Sequence, residues 1–208
     1  MKPLRRAYAR LRRRFEWERQ WRTAARQPKW LVEGPREQVR AAHDEGWIEP
    51  GASVVDLGCG IGNTAAWLAE HGHRVWAVDF ARGAIRRGRE RYGNVPGLRF
   101  DRVDVTRPMR VEEPYDVVLD LGCVHQLPGS ARSDYAANVR RLTHAGSRLL
   151  VLMRVWGTES ARTPAGKGAA LGRRLGDEFE LVRAEDTQLQ GAHADESTPG
   201  VELRFVRR

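Results

Sequence analysis

The stretch SVVDLGCGIG, residues 53–62, decides the fold of this chain. Its first half is a short run of apolar and β-branched residues, which predicts a buried strand. Its second half has glycine at every second position, so the backbone can turn sharply and approach a ligand closely. A predicted helix follows at residues 63–71. Because a strand, a glycine loop and a helix begin a βαβ unit, the stretch predicts a parallel sheet with a ligand site at the carboxyl end of its strands.

The alternation of strands and helices continues along the chain. Further strands are predicted at residues 74–78, 97–103, 115–119 and 147–153, and helices at residues 81–92 and 130–143. Residues 157–176 are rich in Gly and Arg and receive no element. Beyond them, strands at 179–184 and 201–206, joined by a loop at 185–200, predict an antiparallel closing hairpin. The pattern therefore predicts an α/β domain with right-handed crossovers and a mostly parallel sheet.

The first 50 residues differ in composition from the rest and are predicted to form a helical leader ahead of a domain at 51–208. Leu4, Tyr8, Leu11 and Phe15 recur at helical spacing among arginines, which predicts a basic amphipathic helix. Such a helix can contact a membrane or nucleic acid, but we favour a cap packed on its own domain. A second helix is predicted at residues 35–45.

The composition gives limits on partners and location. The chain has 208 residues and a formal net charge of +9, and only three of its 36 basic residues are lysines. Arginine spread so evenly does not indicate a dedicated polyanion groove. Cys59 and Cys123 form neither a disulfide framework nor a metal-ligand spacing, so we expect a reducing, cytoplasmic location and no metal. The apolar runs are too short to cross a bilayer, so no membrane is expected.

Asp56, at the end of the first predicted strand, distinguishes between two nucleotide cofactors. A carboxylate here would repel the pyrophosphate of a dinucleotide, whereas it suits a cofactor that carries a positive ammonium and a positive sulfonium. The dinucleotide fingerprint also requires glycine at position 63, where this chain has Asn63.

Acidic residues also end the second and third predicted strands. Asp79 can accept hydrogen bonds from both hydroxyls of a ribose, and Phe80 can form an apolar wall for an adenine. Asp104 can accept from the adenine amine, and Val105 can stack on its ring. Acids on three successive strand ends, with a glycine loop at the first, indicate one nucleoside site.

At this point a family resemblance is clear. Residues 54–62 resemble the first motif of class I S-adenosylmethionine-dependent methyltransferases. Asp79, Asp104 and residues 115–125 fall where that family has its later motifs, and the resemblance covers roughly residues 53–154. It implies a seven-stranded, mostly parallel, doubly wound sheet with an antiparallel C-terminal strand, and S-adenosylmethionine as cofactor.

The glycine loop would hold the methionine part of that cofactor. Asp120 would either bind its ammonium group or simply end the fourth strand. The expected cofactor-binding residues are Asp56, Gly58, Cys59, Gly60, Gly62, Asn63, Asp79, Phe80, Asp104, Val105 and Asp120.

The expected activity is methyl transfer to an O, N or S atom of a small molecule. Residues 120–128 resemble small-molecule methyltransferases of the thiopurine and quinolone-modifying types, which tend to carry a tryptophan-bearing leader, here residues 17–34. His125 is a candidate general base for a hydroxyl or thiol acceptor, or else a residue that orients the loop. Cys123 is expected to pack rather than react.

The aromatic and imidazole residues outside the motifs have two interpretations each. Trp17, Trp21 and Trp30 can form an aromatic lid over a flat acceptor, or can anchor the leader to the sheet. Trp67 is predicted in the core. The predicted turn between the first core helix and the second strand places two histidines, His71 and His73, in solvent.

Two other functions compete with small-molecule methylation. The basic leader suggests an RNA-modifying methyltransferase, but the fourth strand ends in Asp120-Leu121-Gly122-Cys123 rather than the Pro-Pro-aromatic motif of enzymes that methylate base amino groups. Nucleic acid is therefore not expected as a partner. A family member that binds the cofactor but catalyses another step, such as a cyclisation, stays open because fold does not fix function. The oligomeric state cannot be read from the sequence.

Overall fold

Seven strands form one sheet in the order β3-β2-β1-β4-β5-β7-β6. The computed structural model describes residues 15–21, 28, 31–154, 163–191 and 197–208. The strands are β1 Ser53–Leu57, β2 Arg74–Asp79, β3 Leu98–Arg102, β4 Tyr115–Leu121, β5 Thr143–Arg154, β6 Phe179–Gln190 and β7 Ser197–Arg207. Strands β1 to β5 are parallel, and β7 is antiparallel to both β5 and β6. The predicted fold class is confirmed.

Helices cover both faces of this sheet. Residues 15–21 are helical (α1). The others are α2 Glu37–Asp44, α3 Asn63–Glu70, α4 Arg82–Tyr92, α5 Gly129–Leu142 and α6 Pro164–Leu175, with a short 3-10 turn at Val124–Gln126. One apolar cluster joins α2, α3 and α4 to the sheet, and a second joins α5 and α6 to its other face. No helix in the described part of the chain is both long and apolar enough to cross a bilayer.

The central strands are apolar on both sides because both faces are covered. Strand β1 pairs with β2 on one edge and β4 on the other, and its last four residues are buried. Among them, Val54 packs toward α3 and Val55 packs toward α5. A continuous apolar run is the expected pattern for such a strand. The carboxyl ends of the parallel strands therefore emerge together at one edge of the sheet.

The C-terminal third differs from the sequence prediction in two ways. Helix α6 was not predicted in residues 157–176. It begins at Pro164, with the Thr163 hydroxyl accepting a hydrogen bond from the Gly166 N–H at 3.1 Å, and it buries Leu171 and Leu175 one turn apart. These features outweigh the helix-weakening effect of its glycines.

The loop predicted at 185–200 is also wrong over most of its described length. Strand β6 runs on to Gln190 and β7 begins at Ser197, so the antiparallel hairpin is longer than expected. β6 is the edge strand of the sheet, and polar residues are tolerated there because much of the strand faces solvent. The antiparallel hairpin itself is confirmed.

The described part of the leader packs on the domain. Trp21 is buried against Ile61, Ala81 and Ala84. Glu18 accepts a hydrogen bond from the Arg82 N–H at 2.8 Å, so a carboxylate from α1 caps the N-terminus of α4. Most of the predicted basic helix, and Trp30, lie outside the described residues.

The prediction of solvated histidines holds for one of the two. His71 is exposed, but His73 is buried, with its ring edge-on to His43 at a centroid distance of 5.4 Å. Burial lowers the pKa of His73, which favours the neutral imidazole that such a site requires. Trp67, predicted in the core, is only half-buried and stacks near His71.

Gly62 ends the glycine loop at the start of α3 and requires a residue without a side chain. Its φ of +79° lies in the left-handed region. A Cβ at this position would lie 2.5 Å from Cε1 of Phe100, a buried core ring. Gly72 offers a comparison, because its φ is +88° and nothing lies within 4 Å of an added Cβ.

We expect Gly62→Ala to reduce the free energy of unfolding more than Gly72→Ala. Both substitutions incur about 1–2 kcal/mol for the left-handed backbone, and Gly62→Ala adds about 1–3 kcal/mol because Phe100 must move. Urea denaturation of both variants measures the difference. Equal losses would contradict the close packing of this loop on Phe100.

Candidate cofactor and acceptor site

A cavity of about 700 Å³ opens where the parallel strands end. This volume suits a small-molecule site. Residues that follow the parallel strands line it. They are Gly58 and Gly60 after β1, Asp79 and Phe80 at β2, Val103 to Thr106 after β3, Leu121 to Cys123 and His125 to Pro128 after β4, and Arg154 at β5. A recess of about 80 Å³ shares part of this wall and adds Asp56, Cys59 and Asn63. The sequence-predicted strand-end residues are therefore brought together.

Asp56 is the most unusual group of the site. It is 2% exposed, and its Oδ1 has no hydrogen-bond partner among the described residues. Burial, together with the charges of Asp120 and Asp79, raises the pKa of Asp56 to about 7 against the opposing charge of Arg36. A buried carboxylate with an unpartnered oxygen is unfavourable, and a cation placed beside it would relieve that penalty. This fits the cationic cofactor that the sequence implies.

Asp79 lies at the end of β2 and holds the loop in shape. Its Oδ2 accepts from the Gly60 N–H at 3.0 Å, and its Oδ1 accepts from the Ala81 N–H at 2.8 Å. Burial raises the pKa of Asp79 to about 6, although these backbone N–H groups oppose the rise. Because Asp79 lines the cavity as well, it can present a carboxylate oxygen to a bound sugar.

The adenine-binding residues expected after β2 and β3 lie on the same cavity wall. Phe80, Asp104 and Val105 all line it. One oxygen of Asp104 accepts from the Thr106 N–H at 3.0 Å and from the Thr106 hydroxyl at 2.6 Å. This turn fixes the carboxylate at the rim of the cavity.

Asn63 and Gly62 support the loop from behind rather than facing the large cavity. The Asn63 amide donates to the Val32 carbonyl, and its Oδ1 accepts from the Tyr92 hydroxyl at 2.7 Å. Asn63 therefore links the leader to α3 and α4, and its only cavity surface is in the small recess, which it shares with Cys59.

Asp120 does not line either cavity among the described residues. It is fully buried, and its carboxylate accepts hydrogen bonds from the N–H groups of Gly122, Cys123 and Val124 at 2.7–3.2 Å. These hydrogen bonds engage the oxygens of Asp120 in shaping the 3-10 turn that carries His125.

His125 lines the large cavity and is held in the neutral form. Burial lowers its pKa to about 4, with the charges of Arg154, Arg132 and Lys167 acting in the same direction against a hydrogen bond to the Leu152 backbone. Its Nε2 lies 2.8 Å from the amide nitrogen of Gln126. A base with so low a pKa removes a proton from a hydroxyl poorly at neutral pH.

The tryptophans divide between the two interpretations. Trp21 is 3% exposed, and it lies against Gly60 and Gly83, so it anchors α1 and also forms part of the cavity wall. Trp17 is half-buried and lines the cavity.

Several lining residues were not predicted from the sequence. Arg36 lines both cavities, and its guanidinium donates to the Gln190 carbonyl at 2.6 Å, which joins α2 to the end of β6. The hairpin adds Leu189, Gln190, Gly191, Ser197 and Thr198 to the wall. No local pattern marks the hairpin residues, because they reach the site only through the pairing of β6 with β7. Within the described residues, no group of His, Cys, Asp and Glu could hold a metal.

Known proteins share this arrangement. A family model described as a methyltransferase domain matches residues 54–146. That segment holds all of β2 to β4, all of β1 except Ser53, and the strand-end acids Asp56, Asp79, Asp104 and Asp120. Together with the methyltransferase relatives below, this match supports a class I S-adenosylmethionine-dependent methyltransferase domain over residues 54–146. The cofactor predicted from the sequence, S-adenosylmethionine, is thereby confirmed.

Individual relatives match the methyltransferase domain at moderate identity. The chain is 26% identical over 131 residues to the 2-heptyl-1-hydroxyquinolin-4(1H)-one methyltransferase of Mycobacteroides abscessus, which covers 62% of this chain and 57% of that protein. The chain thus spans little more than half of this curated relative.

Solved structures share the fold. NodS, an N-methyltransferase of Bradyrhizobium japonicum in complex with S-adenosylhomocysteine, superposes with a TM-score of 0.65 at 20% identity, covering 91% of this chain and 95% of NodS. A protein that takes part in converting a disulfide bond into a thioacetal group during echinomycin biosynthesis gives 0.75 at 21% identity, covering 88% and 85%.

We expect Asp56→Asn to stabilise the cofactor-free protein at pH 8. The folded pKa of Asp56, about 7, lies above the ordinary unfolded value of about 4. The folded state therefore binds more protons, and the wild type loses stability as pH rises from 4 to 7. The variant avoids that loss, on the order of 4 kcal/mol at pH 8 for a difference of about three pKa units, and gains nothing near pH 4.

Denaturant titrations of the cofactor-free protein at pH 4.5 and at pH 8 give the free energy of unfolding of the variant and of the wild type. Asp186→Asn, at an exposed position of β6, is the control and should change little at either pH. A variant that is less stable than the wild type at pH 8 would show that Asp56 is satisfied in the free protein.

Proposed function

We propose that this protein transfers a methyl group from S-adenosylmethionine to a small molecule that enters the cavity beside His125. The buried Asp56 carboxylate with its unpartnered Oδ1 supports this most directly, because it provides a site for a cation at the mouth of the glycine loop. The large cavity is lined by Gly58 and Gly60 of the same loop and by Arg154 at the end of β5, and it would leave space for a second molecule.

The residues that would hold the cofactor follow from their positions. Asp79 would accept the ribose hydroxyls, while Asp104, Val105 and Phe80 would surround the adenine. Residues 58–62 would approach the methionine part, and its ammonium group would lie toward Asp56. Arg36, which lines the cavity and the recess, is suited to the methionine carboxylate because a guanidinium can bind a carboxylate in two places.

When bound, S-adenosylmethionine supplies an electrophilic methyl group on a positively charged sulfur. The residues of this chain would hold the acceptor in line and exclude water. Alignment alone can supply about 7–11 kcal/mol of a barrier, so strong acid–base groups are not required. Trp17 and Trp21 of α1 and Leu127 beyond the 3-10 turn provide apolar surface for a flat acceptor.

A small-molecule acceptor is favoured over RNA. The cavity has walls from α1, the 3-10 turn and the hairpin, and the relative from Mycobacteroides abscessus acts on a hydroxyquinolinone. We extend the quinolone-type resemblance of residues 120–128 to this chain on those grounds. A cytoplasmic location is part of the same proposal, supported by the two free thiols.

We expect Asp79→Asn to weaken binding of S-adenosylhomocysteine by about 1–3 kcal/mol, which is about 5- to 150-fold, because a charge-assisted hydrogen bond to the ribose is lost. Isothermal calorimetry at pH 8 gives the affinity. Asp101→Asn is the matched control, since Asp101 lies on neighbouring β3 but pairs with Arg99 and Arg89 outside the cavity. Equal affinities for both variants would remove Asp79 from the site.

We expect isotope from methyl-labelled S-adenosylmethionine to appear in an aromatic hydroxy acceptor such as a 1-hydroxyquinolin-4-one. Mass spectrometry of the product, alongside loss of the cofactor, measures the transfer. Consumption of acceptor with all of the label left in the cofactor would indicate another reaction, such as a cyclisation. Tight binding to random RNA that survives physiological salt would instead favour an RNA substrate.

A further inference from the structure

The far end of the β6–β7 hairpin receives little support from the rest of the sheet. The pairing of β7 with β5 ends at Gly200, and β6 is the edge strand. Beyond Gly200, in the described part of the chain, β6 and β7 pair only with each other. We call residues 188–191 and 197–199 the hairpin tip. Because a two-stranded ribbon is at best marginally stable in water, the hairpin tip depends on contacts from outside the sheet.

The hairpin tip is also part of the cavity wall. Its residues on that wall are Leu189, Gln190, Gly191, Ser197 and Thr198. The glycine loop lines the same cavity through Gly58 and Gly60. The position of the hairpin tip therefore sets the shape of the space that a second molecule can occupy beside the cofactor.

Gln38, in the first turn of α2, holds the base of the hairpin tip. Its amide nitrogen donates to the Thr187 hydroxyl at 2.8 Å and to the Gln188 carbonyl at 2.9 Å. Gln38 is buried, and it is absent from the described lining of both the cavity and the recess. Since hydrogen bonds require a defined distance and angle, a buried amide that donates twice fixes the position of the strand end. Gln38 therefore acts on the cavity through the hairpin.

Further hydrogen bonds reach the hairpin tip itself. The Arg36 guanidinium donates to the Gln190 carbonyl at 2.6 Å, and the Gln190 amide donates to the Glu37 carboxylate at 3.1 Å. Arg154 at the end of β5 adds a hydrogen bond to the Thr198 hydroxyl at 3.3 Å. The start of α2 thus contacts the end of the hairpin through three consecutive residues.

The chain leading into α2 is fixed to the cofactor side of the site as well. We call residues 32–38 the bridge segment. The Val32 carbonyl accepts from the Asn63 amide, and the Arg36 N–H donates to the Thr64 hydroxyl at 3.2 Å. Asn63 and Thr64 begin α3 directly after the glycine loop. The bridge segment therefore connects the helix that follows the glycine loop to the hairpin tip on the cavity wall.

We propose that the bridge segment positions the hairpin tip in response to the cofactor, with Gln38 as a positioning residue. This inference rests on the proposed function, in which Arg36 binds the methionine carboxylate. A cofactor held by Arg36 and by the glycine loop immobilises the bridge segment, and the bridge segment in turn immobilises the hairpin tip. Binding of the cofactor thereby completes the wall of the acceptor pocket.

The first test is hydrogen exchange followed by mass spectrometry, with S-adenosylhomocysteine as the probe. Exchange rates report how often the hydrogen bonds of a segment open, and neither an acceptor nor turnover is needed. At saturation, this ligand should slow exchange of the backbone amides of the hairpin tip by about 5- to 150-fold in the wild type, the usual range for coupling between two sites.

Substitution of Gln38 then tests the link. Gln38→Met keeps the length of the side chain and removes both hydrogen bonds. In the free protein it should speed exchange at the hairpin tip by about 5- to 150-fold, as expected for two lost hydrogen bonds, and it should reduce the slowing caused by S-adenosylhomocysteine. The affinity for that ligand, measured by calorimetry, should stay close to the wild-type value, because Gln38 lies outside the cavity lining.

Two further variants complete the comparison. Thr187→Val removes one of the same hydrogen bonds from the hairpin side, so its effect and that of Gln38→Met should be less than additive in the double variant. Glu45→Gln is the matched control. Glu45 follows α2 and pairs with Arg183 and Arg204, where β5, β7 and β6 are all paired. It joins the same helix to the same hairpin, but its loss should leave the hairpin tip and its response unchanged.

The inference is overturned if S-adenosylhomocysteine binds but does not slow exchange at the hairpin tip of the wild type. It is also overturned if the slowing is equal in Gln38→Met, because the ligand then protects the tip by direct contact, or if Glu45→Gln has the same effect as Gln38→Met. If Gln38→Met does not fold, Thr187→Val provides the decisive comparison. Absence of S-adenosylhomocysteine binding in calorimetry contradicts the proposed function instead, so the two failures are distinguishable.

Discussion

Carboxylates buried in an apolar environment at the ends of neighbouring parallel strands are the constraint on which the rest of the site depends. Asp56, Asp79 and Asp120 emerge at one edge of the sheet, and all three have pKa values raised by burial to between about 6 and 7. Such a cluster opposes folding at neutral pH, since each group is more stable as the acid than as the ion. Backbone N–H groups offset this cost where they donate hydrogen bonds to the carboxylates.

Each of the three carboxylates is accommodated differently. Asp120 is surrounded by N–H groups of the turn that follows it, so it has become part of the scaffold. Asp79 is bound by the Gly60 and Ala81 N–H groups and still reaches the cavity. Asp56 keeps an oxygen without a partner. The free protein therefore retains one unfavourable charge, and a cationic ligand has most to gain there.

The sequence was sufficient for the sheet, the glycine loop and the strand-end acids, because apolar runs locate the ends of buried strands closely. It was insufficient where contacts are made by residues far apart in the chain. Arg36 and Gln190 are separated by 154 positions, and nothing near either residue signals their contact. Helix α6 could have been predicted from Thr163-Pro164 at its start and from the helical spacing of Leu171 and Leu175. It was not predicted because the glycines of this segment disfavour a helix. His73 was predicted in solvent because it lies beside a turn. It is buried because α2 packs over it, with the ring of His43 edge-on to its own.

The long β6–β7 hairpin bears on how such a domain can diversify. The strand-end acids of the site follow the first four strands, whereas the hairpin contributes to the cavity wall through its far end, Leu189 to Gly191 and Ser197 to Thr198. Changes at that tip alter neither the parallel core nor the glycine loop. Descendants of one ancestor can thus exchange acceptors by remodelling a peripheral ribbon, while the machinery for the methyl donor stays constant.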